Sequence, residues 1–298
     1  WCRVFWFYII VNIRNFNWSL GIYWKAQWNF TFTIILCKCR YLGDDKVVLM
    51  KKIIYDIGSN NGDDISYYLL KSDLVIAIEA NPKLCNLIQE KFSKEINNGK
   101  LIIENCVVHN QNGKNEVPFY IHKTNHVLSR FPKPANIQDF EEITMQSKNI
   151  IEIIKNYGDP HYIKIDIEDS DYSILSSILS NNIFPPYISC ESHTIEIFSA
   201  LVASEKYKSF KLVDGPSVSK KFNNLEITTN EGKLRYSFPH HSAGPFGNDI
   251  PGPWMTKNNF FQLLGYVGLG WKDIHATSVD EPDINFKPKP EISISIKY

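Results

Sequence analysis

Residues 51–70 read KKIIYDIGSNNGDDISYYLL, and the parsing of this stretch decides the rest. Ile53 to Ile57 is an apolar run with one acid, Asp56, as a strand buried on both faces requires. Gly58 and Gly62 then punctuate a turn, after which the apolar spacing becomes helical. Asp63 and Asp64 stand where the helix dipole favours negative charge. Strand, glycine turn and helix in this order open an α/β domain with a mostly parallel sheet.

The alternation continues downstream. DLVIAIE (73–79) is a second strand, and Asn81-Pro82 starts a helix through KLCNLIQEKFSKEI, with proline near the first turn where a missing N–H costs nothing. KLIIENCVV is a third strand, closed by a turn at Asn112-Gly113, and NEVPFYIH an extra one. A looser region, 123–147, precedes the helix NIIEIIKNY. Then follow the strand HYIKIDI, the helix SDYSILSSIL, the strand YISCES, the helix TIEIFSALVAS and the strand FKLVD. After about residue 215 the pattern turns to short strand-like pieces and a Gly/Pro-rich run, PHHSAGPFGNDIPGPW. The reading is a cofactor-binding domain over 50–215 and a lid-like C-terminal extension over 216–298, ending in ISISI as an edge strand or a loose tail.

Residues 1–49 are crowded with aromatic residues, Ile and Asn and hold neither period. Their apolar runs fall short of the roughly 20 residues a membrane helix needs, and no small-residue cleavage site follows the first. Met50 is expected to begin the native domain, with 1–49 translated upstream sequence; the alternative is a poorly ordered, membrane-associated extension. No membrane contact is expected of 50–298.

The chain has 298 residues, with 32 basic and 32 acidic side chains. That balance leaves no electrostatic footprint for nucleic acid. Six cysteines (Cys2, Cys37, Cys39, Cys85, Cys106, Cys190) form no CxxC pair, so they read as reduced, buried thiols of a cytoplasmic protein. Nothing in the sequence bears on oligomeric state.

Asp56-x-Gly58-x-x-x-Gly62 lets the backbone turn tightly and approach a ligand with no Cβ in the way. Glu79, at the tip of the second strand, is an acid suited to accept hydrogen bonds from both ribose hydroxyls of an adenine nucleoside. A dinucleotide fingerprint would read GxGxxG and leave a helix N-terminus free for pyrophosphate. Here Asp56, Asp63 and Asp64 crowd that place with negative charge. A cofactor with a cationic tail, S-adenosylmethionine, suits the pocket better than NAD.

DIGSNNGDD, AIEANP, NCVVHNQNGK and YIKIDIEDSDYSIL together resemble the successive motifs of FkbM-type S-adenosylmethionine-dependent methyltransferases, over roughly residues 52–215. The most specific element, IKIDIEDSDYSIL, is similar to the family's Lys-Ile-Asp-x-Glu-Gly-x-Glu signature, with Asp169 where Gly is usual and Asp171 where Glu is usual. The resemblance implies a class I methyltransferase (Rossmann-like) fold, with helices on both sheet faces. It also implies methyl transfer, usually to a hydroxyl of a sugar, glycan or small natural product. By position, Asp56, Gly58, Asn60 and Gly62 would surround the methionine part. Glu79, with Ala80 and Asn81 beside it, would hold the ribose, and Asn105, Cys106 and Val107 would flank the adenine.

Lys164, Asp166 and Glu168 alternate with isoleucines, which predicts three charges on one face of a strand near its carboxyl end. They are either catalytic or an internal ion pair, Lys164 with Glu168. Glu191 and His193 end the next strand, where His193 is either the base for the acceptor's proton or a histidine satisfied at a junction. Proximity alone accelerates methyl transfer. His240, His241, Asp249, Trp254, Trp271 and His275 fall in the extension and match no zinc spacing, so no metal is assigned. The competing readings are an NAD-dependent oxidoreductase or sugar-nucleotide enzyme, and a non-catalytic nucleotide-binding module.

Overall fold

A computed structural model describes residues 8–13, 16–21, 51–110 and 115–289. Two compact units divide the chain, Trp1–Leu49 and Met50–Tyr298. In the first, Tyr8–Ile13 and Phe16–Gly21 pair as an antiparallel hairpin. The turn at 112–113 and the ISISI tail lie outside the described residues.

The second unit is built on one sheet. Its strands are β1 (Ile53–Ile57), β2 (Leu74–Glu79), β3 (Leu101–Asn105), β4 (Pro160–Ile165), β5 (Tyr187–Ser192), β6 (Ser209–Asp214) and β7 (Gly270–Thr277). Their spatial order is β6-β7-β5-β4-β1-β2-β3, with Met255–Thr256 added at the β6 edge. β1 to β5 run parallel, while β7 is antiparallel to both β5 and β6. This is the α/β, Rossmann-like, mostly parallel sheet that the sequence predicts. The chain runs outward from β1 to β3 and returns to β4 on the other side of β1. Open α/β sheets bind their ligands at such a switch, beyond the carboxyl ends of the strands.

Period 2 in β1 divides the core between the two faces. Ile53, Tyr55 and Ile57 pack with α3 (Ile150–Tyr157), α4 (Asp171–Ser180), α5 (Ile195–Ala203) and α6 (Lys257–Val267). Ile54 packs on the other side with α1 (Ile65–Lys71) and α2 (Pro82–Lys91). Asn81 caps α2 by accepting from Lys83 N at 3.0 Å, with Pro82 in the first turn. Asp64 does not cap α1. Its carboxylate accepts instead from Ser242 Oγ and from Ala243 N, tying the helix start to the C-terminal segment.

Two expectations need correction. Residue 215 is no domain boundary, because β7 lies between β5 and β6. The 216–298 segment therefore completes the sheet as well as walling the site. The region 123–147 is also more ordered than its composition suggests. Phe140–Asn149 is a strand between Val107–His109 and Glu116–His122 in a small separate sheet. Most of its side chains are exposed or half-buried, so it lacks the apolar alternation that announces a strand.

Candidate active site

Beyond the carboxyl ends of β1 to β5 opens a cavity of about 430 Å³, within the range of small-ligand sites. Gly58 follows β1, Glu79 ends β2, Cys106 and Val107 follow β3, Asp166 to Glu168 follow β4, Glu191 lies near the end of β5 and His193 just beyond it; all of these line the cavity. Asn60 and Ala80 line it too.

Gly58 is fixed by a close approach. Its φ is +86°, and an added Cβ would stand 1.8 Å from the Asp166 carbonyl oxygen. Its N–H and that of Ser59 both donate to the Ile78 carbonyl, at 2.9 and 3.1 Å. The turn so formed presents Asn60, whose N–H donates to Glu79 Oε2 at 2.9 Å, while Asn81 N donates to Oε1 at 2.7 Å. Burial pushes the Glu79 carboxyl up to about 7 against these two donors. Asn60 Oδ1 is buried without a hydrogen-bond partner, in a residue that faces the cavity.

Five of the residues assigned to ligand or catalysis from sequence lie behind the wall instead. Asp56 is wholly buried and sits 3.5 Å from Lys164 Nζ, which is also 3.2 Å from Asp166 Oδ2 and donates to the Gly58 carbonyl at 3.2 Å. Burial raises the Asp56 carboxyl; Asp166 and Asp56 hold the Lys164 ammonium above its ordinary value although burial opposes its charge. Gly62 faces Ile88, Ile65 and Phe92. Asn81 caps α2, and Asn105 Nδ2 donates to the Glu79 and Ala80 carbonyls. These residues shape the wall and hold its acids in place.

The charged alternation 164-166-168 is broken. β4 ends at Ile165, and Glu168 and Asp169 adopt left-handed backbone, with φ +50° and +61°. Lys164 therefore pairs with Asp56 and Asp166 and not with Glu168. Glu168 meets Arg130 Nη2 at 3.4 Å, and Asp169 meets Nη1 at 2.7 Å. Ser170 Oγ donates to the Phe131 carbonyl at 2.6 Å. Asp169, in the place of a customary glycine, thus keeps the left-handed turn and gains an arginine.

His193 Nε2 lies 3.0 Å from Glu191 Oε2 and 3.9 Å from Glu168 Oε2. The hydrogen bond that His193 donates to the Glu191 carboxylate raises His193 to about 9, while burial pushes Glu191 up to about 7. The imidazole thus holds its proton at neutral pH, which does not suit a resting base.

Of the C-terminal candidates, His241 and Trp271 reach the cavity. Trp271 stacks on His241 with 18° between the rings, and its indole rests against Gly215, where a Cβ would be 2.3 Å from Nε1. His240 stacks on His241. Asp249 is buried among Lys71, Tyr67 and Thr228 N, Trp254 donates to Asn248, and burial pushes the core His275 down to about 3. Sequence reasoning looked for acceptor contacts in the segments 123–147 and 236–275 but named no residue of the wall made by His126 to Ser129 and Phe131. These residues come from a loop with no repeating pattern, and only the fold brings them to the site.

The lining tests the cofactor expectation. Glu79, Asp166, Glu168 and Glu191 face the cavity, and among the described residues that line it none is Lys or Arg. Four acidic side chains against the single imidazolium of His193 disfavour a pyrophosphate and favour a sulfonium and an ammonium. Asp56, Asp63 and Asp64 do not line the cavity, so the acids that disfavour NAD are not those read from the turn. Leu84, Cys106 and Val107 offer an apolar slot beside Glu79, and Asn60 Oδ1 and Glu79 offer acceptors for a ligand's donors. Those residues fit S-adenosylmethionine. No helix among the described residues is long and apolar enough to cross a membrane.

A family profile, Methyltransferase FkbM domain, matches residues 56–210. Among solved structures, the methyltransferase FkbM from Methylobacillus flagellatus KT is 16% identical, covering 54% of this chain and 39% of that one, with TM-score 0.36. The precorrin-6y C5,15-methyltransferase from Geobacter metallireducens GS-15 is 11% identical over 76% of this chain and 79% of that one, with TM-score 0.34. The O-methyltransferase from Bacillus cereus in complex with SAH is 9% identical over 76% and 74%, with TM-score 0.35. A search of curated proteins returned no match.

Proposed function

Because the chain belongs to the FkbM methyltransferase family, we propose that it uses S-adenosylmethionine to methylate a hydroxyl of a small polyhydroxylated acceptor, such as a sugar or glycan. The observation that carries this reading is the excess of acidic side chains in the lining, Glu79, Asp166, Glu168 and Glu191 with no Lys or Arg among the described residues there. When bound, the cofactor supplies a methyl group on a cationic sulfur, and the acceptor oxygen takes it as the C–S bond electrons return to sulfur.

Glu79, held by two backbone N–H groups, receives the ribose hydroxyls. Cys106, Val107 and Leu84 enclose the adenine, and Asn60 Oδ1 accepts from the cofactor's polar end. Asp166 faces the cavity while Lys164 fixes it from behind at 3.2 Å. It favours the cationic tail and takes the acceptor's proton as the new C–O bond forms. Trp271 and His241 give the acceptor a flat wall, as a sugar face requires. Most of the acceleration comes from holding two reactants in line in a closed cavity.

Calorimetric titration with S-adenosylhomocysteine, and separately with NAD, tests this. The expected result is binding of the first alone, lost in Glu79→Ala. Asp166→Asn should keep S-adenosylhomocysteine binding and lower methyl transfer by roughly 10²-fold or more. Binding of NAD alone would overturn the reading.

A further inference from the structure

Glu168, Glu191 and His193 each offer one ligand atom, and these atoms all lie within 4.8 Å of one another. His193 Nε2 is 3.0 Å from Glu191 Oε2 and 3.9 Å from Glu168 Oε2. Two donors about 2.1 Å from one ion stand roughly 3.0 Å apart when adjacent and about 4.2 Å when opposite, so both spacings are in range. All three residues face the cavity, at the ends of β4 and β5.

A separate observation lies behind them. Asp273 on β7 is the register partner of Glu191, so its side chain leaves the same face of the sheet. It is 4% exposed, and its Oδ1 has no hydrogen-bond partner. After burial, the charges of Asp166 and Glu191 act on it most strongly, in keeping with its place opposite Glu191 in the ladder. The neighbouring cations are already shared. Lys164 serves Asp56 and Asp166, and Arg130 serves Glu168 and Asp169. Buried carboxylates without a counter-charge are costly.

We propose that Glu168, Glu191 and His193 bind a divalent first-row transition metal, of the Mn²⁺ class, at the acceptor end of the cavity, the ion displacing to solvent the proton that His193 otherwise shares with Glu191. Two carboxylates with one imidazole suit such an ion better than Mg²⁺ or Ca²⁺, which favour all-oxygen sites. Three protein ligands leave positions open for the acceptor hydroxyl, whose proton a metal makes easier to remove. That consequence rests on the methyltransferase reading; metal binding does not.

Calorimetric titration of the chelator-treated full chain with MnCl₂ tests the site, with electron paramagnetic resonance of the bound ion as a second readout. One saturable equivalent is expected, weakened at least about tenfold by Glu191→Gln and by His193→Asn. Absence of saturation by about 1 mM Mn²⁺ in the wild type overturns the proposal, as does unchanged affinity in both variants. S-adenosylhomocysteine titrated into the same samples reads the cofactor site separately and reports that each variant is folded. Its failure to bind wild type that takes up Mn²⁺ would sink the methyltransferase reading and leave the metal site standing.

Discussion

At the scale of single residues, Glu79 shows how burial is made useful. An unfolded chain ionises such a side chain near pH 4.3, whereas burial in the fold raises it to about 7. Between these values the folded state keeps a proton that the unfolded state has lost. The stability contributed by the neutral side chain is therefore full below the unfolded value and is lost as pH rises through about 7. Glu79→Gln stays neutral throughout. Scanning calorimetry of the cofactor-free protein should show the wild-type midpoint falling relative to that of Glu79→Gln between about pH 5 and pH 8. Parallel curves would mean that the carboxylate is already ionised at the lower pH. Glu79 and Gly58 were legible in the sequence because a strand, a glycine turn and a strand tip are local patterns. Asp56 was legible as an important acid in a buried strand but not as one paired behind the wall, since its partner Lys164 comes from a strand distant in the chain.

At the scale of elements, the loop that walls the acceptor side is clasped to the β4–α4 turn. Arg130 joins Glu168 and Asp169, and Ser170 Oγ bonds the Phe131 carbonyl. Side-chain exposure of 54% at Asp169 makes this ion pair weak in global terms, because water screens it. Its effect is local. Arg130→Ala should change the unfolding free energy in urea by less than about 1 kcal/mol yet speed amide exchange across 123–139. Unchanged exchange there would show that packing of Phe131 alone holds the loop. The sequence misled at this turn for a physical reason. Polar and apolar residues go on alternating past Ile165, but the left-handed backbone at Glu168 and Asp169 ends the strand. Non-glycine residues give no sign of such a turn.

The whole molecule depends on a strand that enters the sheet last. The parallel direction of β1 to β5 follows from short alternating units, and it was readable from the succession of strand and helix signals. β7 was not, because GWKDIHAT carries a lysine, an aspartate and a histidine and resembles a surface loop. Only between two neighbours does it read as buried, with Ile274, His275, Ala276 and Thr277 each almost without exposure. Its ladder to β5 runs from Tyr187–Thr277 to Ser192–Gly270, and its ladder to β6 from Ser209–Thr277 to Asp214–Lys272. Removing 216–298 would leave facing edges of β5 and β6 with unmet N–H and C=O groups. It would also strip the cover from Asp64 and from the apolar cluster around Tyr67, Phe238 and Phe246. A lid, by contrast, can be removed with the cofactor site left whole. A chain ending at residue 215 should therefore show no cooperative melting by circular dichroism and no binding of S-adenosylhomocysteine. Retention of both would restore the 216–298 segment to a mere cover, and the sheet would have to close without its seventh strand.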